Sequence, residues 1–194
     1  MQSCLGIYIE DNLIKYAKVQ KDKDNIKVEA FGTKFYENIQ QAIDQIVSET
    51  NSSKIPISIN LSEEYYDYFS YFALLNKNAL KKSIDIDFEM LCSEKGVNKD
   101  DMERKNIFAL DQDDAQKMKA INVSIEKNTL DSKKALFEKY NLATIEPLPI
   151  GIMNLIKLNN DSNELIVNME EKTTLTFCEN GQIDKIDEIE TSIM

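Results

Sequence analysis

The first side chains that could do chemistry lie in a polar turn near the start of the chain. Glu10, Asp11 and Asn12 join two apolar segments, residues 5–9 and 13–19, which are predicted to be short strands. Lys15 is the basic residue beside this turn. Its ammonium group could contact a phosphate, or it could merely project from the strand. The sequence leaves both interpretations open.

Two acidic groups have spacings that resemble functional sites. The run DQDD at 111–114 resembles part of a calcium loop, but the glycine and the closing glutamate of such a loop are absent. Asp85, Asp87 and Glu89 could suggest paired catalytic carboxylates, yet a spacing of two does not place neighbours on one helical face. We interpret the first group as an acidic turn and the second as a solvated face.

The chain has no histidine, which removes the commonest general base and the usual zinc ligand. The three cysteines, Cys4, Cys92 and Cys178, are odd in number, widely spaced and set in apolar segments. This pattern is typical of reduced, buried thiols in a cytoplasmic protein. The sequence therefore predicts no catalytic residue and no metal site.

The net charge of the chain is −11. A nucleic-acid partner requires a basic surface, which is not found, so a protein partner that is neutral or basic is favoured. No apolar run approaches the roughly 20 residues that cross a bilayer, and no signal peptide is recognised. We expect a cytoplasmic protein without direct membrane insertion, which a partner could recruit to the inner face of the membrane.

The elements that position the first turn form an α/β unit. A turn at 21–25 leads to a third strand at 26–35, and a helix follows at 39–50. Asn38, with Gln41 three residues later, predicts the start of this helix. The strand at 55–61 is reached through the helix, so we expect it to be parallel to its neighbour.

An aromatic segment, YYDYFSYF at 65–72, opens the next region and continues to residue 75. As a strand it directs Tyr66, Tyr68 and Phe72 to one face. The segment could be packed on both faces, or it could offer an aromatic surface to a partner. A helix is predicted at 78–95 that stops at Gly96, although the alternation IDIDFE at 84–89 could also form a strand. Strands at 105–110 and 117–125 and a helix at 130–140 complete a small α+β unit.

The last region begins with a strand at 143–148, and Pro149 suits the first turn of a helix to about residue 158. A linker is predicted at 159–163. A second hairpin has strands at 165–169 and 173–177, and a turn at 179–182 leads to one more strand. The chain stops where a further helix should begin, so we expect a piece of a longer protein.

This order of elements resembles the PilM-type actin-like proteins of type IV pilus machinery, which are related to FtsA-type cell-division proteins. Their first hairpin reads roughly Gly-Ile-Asp-Ile-Gly, followed after three residues by Ile-Lys. The residues that match this pattern are Gly6, Ile7, Ile9, Ile14 and Lys15. The resemblance implies an actin-like, ribonuclease H-like α/β fold. It assigns residues 1–61 and 143–161 to subdomain 1A, 62–142 to an inserted subdomain 1C, and 162–194 to the start of subdomain 2A.

The two hairpins depart from the family pattern at the phosphate loops. Tyr8 replaces the aspartate and Glu10 the first glycine, while Asn168 and Glu170 take the corresponding places in the second hairpin. Glycine lets backbone amides approach phosphates, and a misplaced carboxylate repels them by roughly 1–4 kcal/mol at about 4 Å. If ATP with magnesium is bound at all, the resemblance assigns it the residues Asp11, Asn12, Lys15, Thr173 and Thr174. We predict that ATP binding is lost or very weak and that no cofactor is needed.

By resemblance, we expect a scaffold that binds the cytoplasmic N-terminal tail of a PilN-type inner-membrane protein in a groove between 1A and 1C. Tyr66, Tyr68 and Phe72 are the candidate contacts for this tail, which would dock as an extended segment. The pilus assembly motor is a further candidate partner, and self-association stays open. The alternatives are an ATP-hydrolysing actin-like protein and an FtsA-like cell-division adaptor.

Overall fold

The computed structural model describes residues 2–23, 25–110, 116–156, 158, 162–170 and 172–189. The acidic run at 111–114 lies outside the described residues. So do residues 159–161 of the predicted linker and the start of the helix expected at the end of the chain.

The predicted mixture of strands and helices is confirmed. The strands are β1 (Gln2–Ile9), β2 (Leu13–Asp22), β3 (Asn25–Phe35), β4 (Ile57–Leu61), β5 (Tyr65–Phe72), β6 (Met102–Leu110), β7 (Lys117–Glu126), β8 (Leu142–Pro147), β9 (Asn163–Met169), β10 (Thr173–Glu179) and β11 (Gln182–Ile189). The α-helices are α1 (Ile39–Glu49), α2 (Lys77–Glu94), α3 (Lys127–Ala135) and α4 (Leu148–Met153).

The chain divides into two compact units, and each is described by itself. Unit 1 comprises residues 1–62 and 131–151. Its sheet has the order β3-β2-β1-β4-β8, in which β1 is antiparallel to β2 and parallel to β4. The prediction that the strand after the first helix is parallel is therefore confirmed. Strand β8 continues the parallel half of the sheet.

Helix α1 covers the core of unit 1 because its apolar residues recur at helical spacing. Ala42, Ile43, Ile46 and Val47 are buried among the apolar side chains of β1, β2 and β4. The side chain of Asn38 accepts a hydrogen bond from the backbone N–H of Gln41 at 3.0 Å, which confirms the predicted start of the helix.

The predicted helix at 130–140 has different bounds in the structure. Helix α3 begins at Lys127 and ends at Ala135, and the chain then tightens into turns. The N–H of Phe137 donates to the carbonyl of Lys134, and the N–H of Tyr140 donates to that of Phe137. After these turns, the Phe137 ring is buried in the core of unit 1.

Unit 2 comprises residues 63–130 and 152–194. One of its sheets has the order β5-β7-β6, with antiparallel pairing throughout, and α2 packs on it through Ile84 and Phe88. Helix α2 ends as predicted at Gly96, which has a φ of 69°. The N–H groups of Gly96 and Val97 donate to the carbonyls of Ser93 and Cys92, which completes a Schellman motif.

Two predicted elements are too long. The aromatic strand ends at Phe72 and not at Leu75, because the chain turns there with the N–H of Leu75 bonded to the carbonyl of Phe72. Helix α4 ends at Met153 and not at residue 158. Gly151 and Asn154 are weak helix formers, and the N–H of Leu155 donates to the carbonyl of Ile152 in a tighter turn.

The second sheet of unit 2 has the order β11-β10-β9, again antiparallel. Strands β9 and β10 confirm the predicted second hairpin. Asn180 and Gly181 join β10 to β11 with φ values of 48° and 76°. Positive φ at both central residues matches the right-handed twist of the flanking strands, which explains why this Asn-Gly pair forms a tight hairpin.

Candidate functional site

The turn between β1 and β2 is closed by its own backbone and by Tyr36. The N–H of Glu10 donates to the carbonyl of Leu13 at 2.9 Å. The Tyr36 hydroxyl donates to the carbonyl of Glu10 at 2.6 Å, and the Tyr36 N–H donates to that of Asn12 at 3.0 Å. Burial, with the charge of Asp11 second, raises the pKa of Tyr36. The hydroxyl therefore stays protonated and holds the turn.

Lys15 is engaged by the carboxylate that replaces the family's glycine. Its Nζ lies 3.0 Å from Oε1 of Glu10, and it stands 5.4 Å from the centre of the Tyr8 ring. Asp11 and Asn12 are exposed at the tip of the turn. The structure thus brings Asp11, Asn12 and Lys15 together. The Glu10 carboxylate, however, neutralises the positive charge of Lys15 that a phosphate would need.

Asn60 fixes the end of β1, a role that the sequence analysis missed. Its Oδ1 accepts from the N–H of Ile9 at 2.8 Å, and its Nδ2 donates to the Ile9 carbonyl at 3.2 Å. The side chain is buried. The sequence does contain an indication of this role, which is an asparagine inside the apolar strand IPISINL. A buried amide requires specific hydrogen-bond partners, so such a residue is expected to bond to a neighbouring strand.

Thr173 and Thr174 lie side by side at the start of β10 in unit 2, and both are buried. Thr174 is paired with Asn168 on β9 and with Glu188 on β11. The structure brings the two threonines together on one strand, whereas Asp11, Asn12 and Lys15 belong to unit 1. The burial of Thr173 and Thr174 leaves little hydroxyl surface for a phosphate.

The aromatic residues of β5 differ in exposure. Tyr66, Tyr68 and Phe72 share a face, opposite Val123, Ile121 and Lys117 of β7. The Tyr66 hydroxyl donates to the carboxylate of Glu64 at 2.6 Å. Phe72 is 66% exposed and lies at the end of the strand. Of these three side chains, Phe72 offers the most open surface.

Tyr68 is held by the backbone of β11. Its hydroxyl donates to the carbonyl of Ile186 at 2.5 Å and accepts from the N–H of the same residue at 2.7 Å. Burial raises the pKa of Tyr68 to about 12, although the hydrogen bond to Ile186 opposes that rise. The neutral hydroxyl can therefore both donate and accept across the ordinary pH range.

No protein-family model matches the sequence, and no curated protein matches it. Among solved structures, the chain is similar to one described as the PilM-PilN type IV pilus biogenesis complex, with a TM-score of 0.75 and 10% identity over 96% of this chain and 61% of that one. It is also similar to the cytoplasmic domain of EpsL, an inner membrane component of the type II secretion system of Vibrio cholerae. Here the TM-score is 0.66 and the identity 9%, over 97% of this chain and 71% of that one.

These similarities confirm the predicted fold class: the chain has the actin-like α/β fold. At about 10% identity they show the fold alone. The chain spans about three fifths of the length of the matched PilM-PilN chain. Within the described part of the chain, every helix is too short or too polar to span a bilayer.

Proposed function

We propose that this chain is the actin-like part of a scaffold for type IV pilus assembly, which binds the cytoplasmic N-terminal tail of a PilN-type inner-membrane protein. The observation that carries the proposal is the similarity to the PilM-PilN complex over 96% of the chain. The expected charge of the tail and the net charge of this chain also support the proposal. Cytoplasmic segments next to membrane helices carry an excess of lysine and arginine, and this chain has a net charge of −11.

The outer edge of β5 is the candidate binding surface for this tail. Among the described strands, β5 pairs only with β7, so its other edge can accept an extended peptide through backbone hydrogen bonds. Phe72 would be the exposed anchor at the end of this edge. Tyr66 and Tyr68, whose hydroxyls are bonded within unit 2, would hold the strand in place for docking.

Calorimetric titration with a synthetic peptide of the PilN-type tail from the same organism tests the proposal. We expect saturable binding with a dissociation constant in the micromolar range, about −8 kcal/mol. Replacing Phe72 with alanine should weaken it at least tenfold, because interface aromatics often contribute more than about 1 kcal/mol.

Phe108→Ala is the matched control, since Phe108 is also exposed but lies on β6 at the other edge of the same sheet. This variant should bind the peptide like the unmodified protein. Absence of heat at high peptide concentration would overturn the pilus assignment, and equal losses in both variants would overturn the β5 surface alone.

We further propose that the scaffold works without ATP. Glu10 forms an ion pair with Lys15. The Glu10 N–H donates to the Leu13 carbonyl, and the Glu10 carbonyl accepts a hydrogen bond from the Tyr36 hydroxyl. Millimolar Mg-ATP should therefore leave the midpoint of thermal unfolding unchanged. A saturable shift that Lys15→Ala abolishes would instead favour the ATPase alternative. Lys34→Ala is the control, because Lys34 pairs with Glu49 elsewhere in unit 1.

A further inference from the structure

Among the buried polar atoms of unit 2 that have no hydrogen-bond partner within the described residues, three belong to side chains at or beside the β9–β11 sheet. They are Oε2 of Glu64, Oγ1 of Thr174 and Nδ2 of Asn168. Glu64 and Thr174 are each only 6% exposed. Buried polar groups in native proteins are almost always satisfied, by protein, ordered water or an ion. These three atoms are therefore available to bond to an ordered water molecule or an ion.

The register of the β9–β11 sheet places these groups beside a second carboxylate. Thr174 pairs with Asn168 on one side and with Glu188 on the other, so the three side chains form a row on one face of the sheet. Glu64 immediately precedes β5, and its Oε1 accepts the hydrogen bond from the Tyr66 hydroxyl. Two residues further along β5, the Tyr68 hydroxyl is bonded to the backbone of Ile186, which lies two residues before Glu188 on β11. This contact brings the start of β5 to the strand that carries Glu188.

The charge around this row is negative. Burial raises the pKa of Glu188; the charge of Lys172 opposes this rise, and the charge of Glu64 adds to it. Burial also raises the pKa of Tyr66 far above its ordinary value, with the charges of Glu64 and Glu188 adding to the effect. The adjacent cation is Lys172, whose Nζ lies 3.8 Å from Oε2 of Glu188 in a solvent-exposed pair. Such a pair is weak and can be displaced.

We propose that Glu64, Thr174 and Glu188 bind a hard divalent cation of the calcium or magnesium class in the absence of nucleotide. Carboxylate and hydroxyl oxygens are suitable ligands for such an ion. The unpartnered Nδ2 of Asn168 can donate to a water molecule bound to the ion. Glu188 is partly exposed, which gives the ion a route from solvent.

The expected affinity is low. Within the described residues, no group of three or more His, Cys, Asp or Glu side chains is placed to hold a metal ion, and this site has two carboxylates. A dissociation constant of about 10⁻⁴ to 10⁻³ M is typical of weak calcium sites. The inference does not depend on the proposed role in pilus assembly, and it uses none of the residues at the β1–β2 turn.

Terbium luminescence provides a direct test on the full chain after treatment with EDTA. Terbium substitutes for calcium and is excited through nearby tyrosine, and the chain has no tryptophan. We expect emission that calcium displaces, and at least tenfold weaker binding in Glu64→Gln and Glu188→Gln. Asp187→Asn is the matched control, because Asp187 neighbours Glu188 in sequence but pairs with Lys185 at 2.7 Å. It should keep the affinity of the unmodified protein.

Thermal unfolding separates ion binding from a merely structural role. In EDTA, Glu188→Gln removes the repulsion from Glu64, so its midpoint should equal or exceed that of the unmodified protein. In about 10 mM calcium, the unmodified protein should gain a few degrees and the variant should not. The proposal is overturned if neither terbium nor about 10 mM calcium binds to the unmodified protein. It is also overturned if Glu64→Gln and Glu188→Gln both bind the ions with unchanged affinity, or if Glu188→Gln lowers the unfolding midpoint equally in EDTA and in calcium.

Discussion

Replacing Phe137 with alanine is expected to lower the free energy of unfolding of unit 1 by about 3–5 kcal/mol. The Phe137 ring is completely buried in a cluster formed by α1 and the central strands. Backbone hydrogen bonds to Lys134 and from Tyr140 fix its position, so the chain cannot move to fill the space left by a smaller side chain. Urea unfolding followed by circular dichroism measures the loss.

Phe31→Ala is the matched control in the same unit. The Phe31 side chain is 80% exposed on the edge strand β3, so its truncation should change the free energy by about 0.5 kcal/mol or less. Similar losses in both variants would show that Phe137 is not part of the core. A selective loss in Phe137→Ala would show that the segment after α3 is an essential part of unit 1.

The sequence was most informative where local chemistry determines local structure. The start of α1 follows from the side chain of Asn38, and its orientation follows from four apolar residues at helical spacing. The stop of α2 follows from the positive φ of Gly96. These features depend on residues within one or two turns of each other, so a single sequence contains the whole signal.

Features that depend on distant residues could not be predicted. Phe137 and Asn60 reach partners that are remote in sequence, and nothing in their immediate neighbours specifies them. The proposed cation site joins Glu64, Thr174 and Glu188 from three separate segments of the chain. These residues appear in the sequence as ordinary polar residues, and the burial of Glu64 and Thr174 becomes visible only in the structure.

The departures at the first turn gain a physical meaning from the structure. Glu10 is not merely an obstacle to a phosphate, because it forms an ion pair with the lysine that the family pattern retains. Tyr36 closes the same turn through the Glu10 carbonyl. The turn is therefore stabilised by contacts within unit 1.

Replacing Asn122 with leucine is expected to stabilise unit 2 by about 1–3 kcal/mol. Asn122 is fully buried in the centre of β7, between Asp67 on β5 and Asn106 on β6. Neither polar atom of its amide has a hydrogen-bond partner among the described residues. An apolar side chain of similar volume avoids the cost of burying an unpaired amide while it preserves the packing.

Asn163→Leu is the control for this substitution, because Asn163 is exposed at the start of β9, which is an edge strand of the same unit. Its replacement should change the free energy of unfolding by less than about 1 kcal/mol. Urea unfolding of both variants measures the difference. A loss of stability in Asn122→Leu would contradict the prediction, and it is the result expected if an ordered water satisfies the buried amide. A gain would show that this asparagine is kept at the expense of stability.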